Sequence, residues 1–219
     1  MKKVAFLTVL PMLLLSACGE DDAMVITSSK EINLHKGEQS QIEVVSNEPV
    51  RYGSMDEYHA VVDESGLVTA NYVGETMIGV KSGSGQDFVT VNVVPVSSLL
   101  VEPYHSDFTI RRDVVEKMYG DGYSVVDDGI VYNIEEMGAS ASFGFYFAGT
   151  KEVLYRSEVV LKPGTDMVSV EQFLAERYKA VDGEEGKYQN TLDGGAGTVF
   201  VRVSEGSDGV ITISYSEVK

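Results

Sequence analysis

The chain has 219 residues, of which 17 are lysine or arginine and 34 are aspartate or glutamate, so its formal net charge is -17. Nucleic acids and anionic lipid surfaces attract clusters of basic residues, and the sequence has no such cluster, which makes both poor candidates as partners. A single cysteine cannot form an internal disulfide, so stability must come from the 43% of residues that are hydrophobic. Twelve tyrosines and 22 glycines favour strands and turns over long helices.

The first residues have the order of a secretory signal. A lysine pair precedes an apolar segment, Val4 to Leu15, and two small residues, Ser16 and Ala17, lead to Cys18. The apolar segment is well short of the ~20 residues that cross a bilayer as a helix. The sequence therefore predicts a signal peptide over residues 1–17 instead of a transmembrane helix.

The run Leu15-Ser16-Ala17-Cys18 resembles the lipobox of bacterial lipoproteins. The resemblance implies that the Cys18 thiol is lipid-modified and becomes the first residue of the mature protein, with the membrane as a partner through that lipid. An unmodified signal peptide with an incidental cysteine is the alternative. Residues 18–23 are predicted to be a short acidic tether, because they have no periodic apolar pattern that could hold them on a core.

Three acids, Glu20-Asp21-Asp22, follow this cysteine and resemble the export signal of Bacteroidetes surface lipoproteins. This resemblance implies a location in the outer membrane, on the cell surface. The periplasmic face of the same membrane is the alternative.

Residues 24–95 consist of short apolar or alternating runs of strand length. Turn-forming segments separate them, among them His35-Lys36-Gly37, Asp63-Glu64-Ser65-Gly66 and Ser82-Gly83-Ser84-Gly85. Many short strands with such punctuation predict a small antiparallel sandwich.

Within this region, residues His59 to Ala70, then Gly74 to Ile78 and the closing Val89 to Val93, resemble the bacterial immunoglobulin-like domain, group 2. Tyr52 stands where that family often has tryptophan. The resemblance implies an immunoglobulin-like sandwich that acts as an extracellular spacer or adhesion-type module, and it brings no catalytic residues.

A linker over residues 96–102 leads to a second region, residues 103–219, which resembles no family. Two segments have helical spacing, one marked by Ile110, Val114 and Met118 and one by Val170 and Phe173 with its neighbours. Three predicted strands follow each helix. The sequence predicts an α+β domain, an antiparallel sheet with two helices on one face, and this order would also fit a duplication.

The sequence contains few of the motifs that mark known catalytic sites. The sequence contains no Gly-x-Ser-x-Gly elbow, no His-Glu-x-x-His helix and no phosphate-binding loop, and its one thiol is used by the predicted anchor. His105-Ser106-Asp107 has the residue types of a hydrolase triad, but a working triad brings its members together from separated parts of the chain. We therefore predict no catalytic residues, no cofactor and no enzymatic activity.

Two acidic clusters accompany glycines at predicted turns: Asp121 with Asp127 and Asp128, and Asp182 with Glu184 and Glu185. Turn chemistry and solvation explain both clusters. The first is a weak candidate for calcium, because carboxylate oxygens are the ligands that this ion prefers. Carboxylate pairs at these turns would also be the catalytic groups of a hydrolase.

Aromatic residues supply the ligand-binding candidates. Phe143, Phe145 and Phe147 alternate along one predicted strand, so they form a buried face and Tyr146 lies on the opposite one. Tyr146 is the first candidate for contact with a sugar. The loop tyrosines Tyr104, Tyr119 and Tyr123 are the next candidates, since recognition energy concentrates in exposed aromatic side chains.

Together these features predict a lipid-anchored, exported cell-surface protein that acts as a binding or adhesion module for a glycan or a protein. Two alternatives stay open. One is a carboxylate-dependent hydrolase, and the other is a structural subunit of a surface assembly.

Overall fold

The computed structural model describes residues 24–134, 137–195 and 197–217. The predicted signal peptide, the acidic tether and Cys18 lie outside these residues. In the described ranges no helix is long and apolar enough to cross a membrane. Two separate hydrophobic cores are present, one built from residues 26–93 and one from residues 100–215. We call the parts around them the N-terminal unit and the C-terminal unit.

The N-terminal unit contains strands only. They are β1 (Val25–Ile26), β2 (Glu31–Leu34), β3 (Gln39–Gln41), β4 (Val44–Val45), β5 (Val50–Ser54), β6 (Ala60–Val62), β7 (Leu67–Ala70), β8 (Gly74–Ser82) and β9 (Gly85–Val93). One sheet has the order β2-β9-β8-β5 and another the order β3-β7-β6, while β1 pairs with β4. All pairs are antiparallel except β2 with β9, which is parallel and departs from the predicted antiparallel arrangement.

Strands β8 and β9 pair along their full length, and the two ends of this pair define two ends of the unit. Ser82 pairs with Gly85 at the connecting hairpin, and Gly74 pairs with Val93 at the far end. Nine residues of strand span about 30 Å. Met24, the first described residue, lies against Gly85 at the hairpin. We call these ends the hairpin end and the junction end.

The C-terminal unit contains two helices, α1 (Arg112–Tyr119) and α2 (Met167–Arg177), and one large sheet. Its strands are β10 (Tyr123–Val126), β11 (Gly129–Asn133), β12 (Ser140–Ala148), β13 (Val153–Leu161), β14 (Lys179–Ala180), β15 (Lys187–Gln189), β16 (Val199–Glu205) and β17 (Ile211–Glu217). The strand order is β10-β11-β12-β13-β17-β16-β15-β14, and every pair is antiparallel.

This sheet consists of two halves with the same topology. Each half is one helix followed by four consecutive strands, and the last strands of the halves, β13 and β17, pair at the centre. The repeated order is the topology that a duplication would produce.

The predicted fold class is wrong for the C-terminal unit, because the described chain is mostly β, with 47% of residues in strands and 10% in helices. The helices have only 8 and 11 residues. Ile110, which the helical spacing assigned to the first helix, precedes α1, so the spacing overstated the length of that helix. Strands β10 and β14 were missed because their side chains are largely exposed and show no apolar alternation.

Both helices pack on one face of the sheet. Val115 of α1 and Phe173 of α2 belong to the same core cluster as the inward side chains of the strands. Phe143, Phe145 and Phe147 are buried in that cluster, as their alternation predicts. The opposite face of the sheet carries neither helix, and we call it the open face.

Candidate functional site

Tyr146 lies on the open face, because its neighbours Phe145 and Phe147 point into the core. Its ring lies flat against the sheet. A Cβ atom at Gly144 or at Gly129 would come within 2.9 Å of the ring, so the glycines leave the space that the ring occupies. The site is thus built on a strand whose pleat and missing side chains place one aromatic ring on the sheet surface.

Two charged side chains of β13 hold Tyr146. The guanidinium carbon of Arg156 lies 4.0 Å from the ring centroid, and the Tyr146 hydroxyl donates a hydrogen bond to the Glu158 carboxylate. Burial and the Glu158 carboxylate raise the pKa of Tyr146 to about 12. Arg156 Nε is 3.8 Å from that carboxylate and is buried without a hydrogen-bond partner among the described residues, whereas 39% of the whole side chain is exposed. The arrangement leaves a partly exposed planar cation above an aromatic ring.

The register places four side chains in one row across the sheet. Tyr146 pairs with Arg156, and Ser216 pairs with Phe200. Arg156 and Ser216 lie level, because positions 157 and 215 are paired. Three steps of about 4.8 Å between strands separate Tyr146 from Phe200, or about 14 Å. We call these four residues the aromatic row.

The open face has the opposite charge balance from the chain. Its described strands carry Arg156, Arg202, Lys187 and Lys179 but only one carboxylate, that of Glu158. Small hydroxyl side chains line the strand between the charges, namely Thr212, Ser214 and Ser216 of β17. Two cations also cover aromatic rings, since Lys187 Nζ lies 4.3 Å from the Phe200 centroid in the way that Arg156 covers Tyr146. This face can offer both positive charge and hydrogen bonds to a ligand.

The other three candidate tyrosines do not join Tyr146. The Tyr119 ring packs in the core against Phe145 with centroids 4.9 Å apart, and its hydroxyl accepts the backbone N–H of Tyr104. Tyr123 contacts Tyr132 edge-on, with centroids 5.7 Å apart. All three lie on the helix-covered side of the sheet, where they complete the core.

The structure does not bring the calcium candidates together. Asp121 precedes β10 and both Asp127 and Asp128 follow it, so four strand residues, about 13 Å, separate them. The Asp128 carboxylate accepts a hydrogen bond from the Tyr155 hydroxyl. Within residues 24–134, 137–195 and 197–217, no group of three or more His, Cys, Asp or Glu side chains could hold a metal ion.

The second acidic cluster is a turn that faces basic side chains. Glu184 lies 2.8 Å from Lys187 Nζ and 3.7 Å from an Arg202 nitrogen. The hydrogen bond from Lys187 lowers the pKa of the Glu184 carboxyl. The Glu184 carboxylate therefore lies at the edge of the open face, beside Lys187 and Arg202.

The His105-Ser106-Asp107 sequence does not form a triad. The His105 ring stacks on Tyr215 with centroids 4.4 Å apart, and its Nε2 lies 2.9 Å from the Tyr178 hydroxyl. Asp107 instead accepts hydrogen bonds from the backbone N–H and the hydroxyl of Thr109. The side chains of His105 and Asp107 therefore contact different residues and not each other.

Glu102 is the centre of a polar cluster where the two units meet. Its carboxylate accepts hydrogen bonds of 2.8 Å from the hydroxyls of both Tyr178 and Tyr215, and Arg177 Nε lies 3.7 Å away. Burial, followed by the Glu102 charge, raises the pKa of both tyrosines well above their usual range.

Hydrogen bonds to main-chain groups fix the junction. The Tyr58 hydroxyl lies 2.8 Å from the carbonyl oxygen of Arg177 and 3.0 Å from that of Gln189, and it has one proton to share between them. The backbone N–H of Val73 donates to the carbonyl of Glu176. A cleft of about 350 Å³ lies beside these contacts, lined by residues of both units, including Tyr58 and Glu102. The charged groups around this cleft mainly bind one another and the backbone.

Glu176 also holds the linker. Its carboxylate accepts the backbone N–H groups of Val96 and Ser97, at 3.0 and 3.1 Å. Arg177 donates to the Ser97 carbonyl at 3.0 Å, and Lys36 donates to the Ala175 carbonyl at 2.6 Å. The end of α2 therefore binds the N-terminal unit and the linker at once.

Sequence reasoning missed Arg156, Glu158 and Phe200 on the open face, and Tyr58 and Glu102 at the junction. Arg156 lies opposite Tyr146 through the pairing of β12 with β13, and a register irregularity at Tyr146 and Phe147 shifts that pairing. Phe200 reaches the site through the pairing of β13 with β17, which no local pattern indicates.

No family model matches the chain, and no curated protein is similar to it in sequence. Among solved structures, domains 5–6 of the S-layer protein SbsC are 14% identical over 91% of this chain and 84% of that chain, with a TM-score of 0.28. A likeness of this size does not establish a shared fold.

Proposed function

We propose that the chain is an exported, lipid-anchored protein of the outer membrane, on the cell surface, without enzymatic activity. The N-terminal unit acts as a spacer. It holds the C-terminal unit away from the membrane, and the C-terminal unit binds a glycan or a protein.

One observation carries this proposal: the chain enters the N-terminal unit at the hairpin end, and the C-terminal unit is attached at the junction end. Met24 lies against Gly85, whereas Val73 bonds to Glu176 about 30 Å away along β8. Six residues, 18–23, separate the predicted lipid from Met24 and reach at most about 20 Å. An anchor at Cys18 would therefore leave the C-terminal unit on the far side of the spacer.

The fixed junction supports the same function. A flexible linker lets a distal unit fall back onto the membrane, whereas the contacts of Tyr58, Val73 and Glu176 hold it in one orientation. Many anchored copies on one membrane then act together, so a weak contact by each open face adds up to strong attachment.

Protease digestion of intact cells and antibody labelling test this proposal. The wild-type chain should fractionate with membranes and be cleaved on intact cells. The variant Cys18→Ala, which lacks the acceptor thiol, should be lost from the membrane fraction and serves as the control. A wild-type chain that is protected until the cells are lysed would contradict surface display.

A structural subunit of a surface assembly is the second candidate, and the edge of the large sheet favours it. Strand β10 is an edge strand, and it exposes 68% of Val125 and 38% of Val126. An exposed apolar edge can add a strand from another chain. Purification of the protein in a stable complex of fixed stoichiometry, lost in a Val125→Lys variant, would favour this function over ligand binding.

A further inference from the structure

We propose that the open face binds a linear acidic polysaccharide, which lies across the strands along the aromatic row. The inference rests on the proposed binding function and names its site and its ligand class.

Charge is the first argument. In a chain with twice as many acidic as basic residues, the strands of the open face present four basic side chains and one carboxylate. The rest of the strongly acidic surface repels an anionic chain, so its binding is directed to this face. Glu158 is occupied by Tyr146 and lies beside Arg156, and Glu184 at the edge of the open face lies beside Lys187 and Arg202, so the four cations exceed the carboxylates of this face by two.

Geometry is the second argument. The Arg156 guanidinium carbon lies 4.0 Å from the Tyr146 ring centroid, its Nε is buried, and 39% of the side chain is exposed. A guanidinium held in this way offers a planar fork to a carboxylate. Arg202 lies level with Ser214 in the neighbouring row, and Lys187 pairs with Arg202 on the next strand. Cations therefore recur across the strands, in the direction of the aromatic row.

The chemistry between the cations favours a glycan over a protein. Thr212, Ser214 and Ser216 present hydroxyl groups that match the hydroxyls of sugar rings. A protein interface of useful affinity needs a well-packed apolar centre. Around the aromatic row the open face offers Phe200 with Val126, Val131 and Val160, which are scattered over four strands.

The length of the row agrees with a chain-like ligand. The row extends about 14 Å from Tyr146 to Phe200, which exceeds one sugar ring and fits successive residues of an extended polymer. A row that crosses four strands suits internal segments of a chain.

The test uses the mature full-length protein and two polymers with the same backbone: polygalacturonate, which carries a carboxylate on every ring, and its fully methyl-esterified form. Isothermal titration calorimetry should detect polygalacturonate binding that weakens at least tenfold between low and high salt. The esterified polymer should bind at least tenfold more weakly. Equal binding of both polymers, or no binding of either, would overturn the inference.

Variants locate the site. Arg156→Gln and Arg202→Gln should each weaken polygalacturonate binding about five- to tenfold, and the double variant more than either. Arg51→Gln removes an exposed cation from β5 of the N-terminal unit and should leave binding unchanged. Circular dichroism confirms that each variant is folded. A loss with Arg51→Gln equal to the loss with Arg202→Gln would place the contact elsewhere.

The two proposals fail separately. Absence of polygalacturonate binding by a protein that is displayed on intact cells overturns only the ligand and site. Protection of the protein until lysis overturns surface display, whatever the binding result.

Discussion

The two units of this protein bury different side chains and cover their sheets in different ways. The N-terminal core contains only aliphatic residues, from Ile26 to Val93, and two sheets share it. The C-terminal core contains five phenylalanines and four tyrosines, and helices cover one face of a single sheet. Two sheets that share a core conceal the inner face of each. In the C-terminal unit the helices cover one face of an eight-stranded sheet, and the proposed ligand site is on the broad opposite face.

The largest expected effect separates the two cores. Phe145→Ala should lower the free energy of unfolding by about 3–5 kcal/mol, because it removes a fully buried ring and leaves a cavity. Ile78→Ala, at an equally buried position of the N-terminal core, should cost about 2–5 kcal/mol. Hydrogen exchange with mass spectrometry should show faster exchange only in the unit that carries the substitution. Equal loosening of both units by one substitution would mean that the cores are not independent.

An intermediate effect is expected at Glu102, whose carboxylate binds two tyrosines of the C-terminal unit. Glu102→Gln should destabilise the protein by about 1–2 kcal/mol, because a charged hydrogen-bond acceptor becomes neutral. It should also lower the pKa of Tyr178 and Tyr215, since the carboxylate charge helps to raise both. Ultraviolet absorbance of tyrosinate during an alkaline titration measures this change.

The same tyrosines determine how stability depends on pH. Their pKa is raised in the folded protein, so their contribution is fully present below the ordinary tyrosine pKa of about 10 and is lost as pH rises through the higher folded value. Thermal melts should therefore show falling stability above about pH 10. In Glu102→Gln the tyrosines ionise at lower pH, so the dependence should be weaker. An alkaline profile identical to that of the wild type would contradict the role of Glu102.

The smallest expected effect concerns the contact between the units. Tyr58→Phe removes the hydroxyl that lies between the carbonyls of Arg177 and Gln189, and should cost about 1 kcal/mol. Tyr72→Phe is a matched control. The Tyr72 ring stacks on the Tyr58 ring with centroids 4.7 Å apart, and the substitution also removes one phenolic hydroxyl. Small-angle scattering should show a wider range of unit orientations for Tyr58→Phe and no change for the control. Identical scattering of both variants would assign the rigidity to other contacts, such as those of Glu176.

Several features followed from local patterns in the sequence. The alternation of Phe143, Phe145 and Phe147 predicted both the buried face and the place of Tyr146 on the opposite one, because side chains of a strand alternate by geometry. Asp63 accepts hydrogen bonds from the backbone N–H groups of Ser65 and Leu67, in the turn that its sequence predicted. Such signals depend on neighbours within a few residues, so a single sequence contains them.

Features that depend on distant partners did not follow from the sequence. The predicted α+β class was wrong because the sequence analysis gave too much weight to two short helical patterns and missed strands β10 and β14. These two strands are held by pairing with their neighbours in the sheet, and their own residues show no strand pattern. Tyr58 meets Arg177 across 119 positions, and no local pattern predicts that contact.

The sequence by itself determined an acidic, cysteine-poor chain of short strands, with an N-terminal segment that predicts export and lipidation, because composition and local periodicity depend only on residue order. The tertiary structure decided that Phe200 completes a row with Tyr146 and Arg156, and that cations gather on the open face. These arrangements arise from the pairing of β13 with β17, which joins two halves of the sheet and which is set by burial of the shared core.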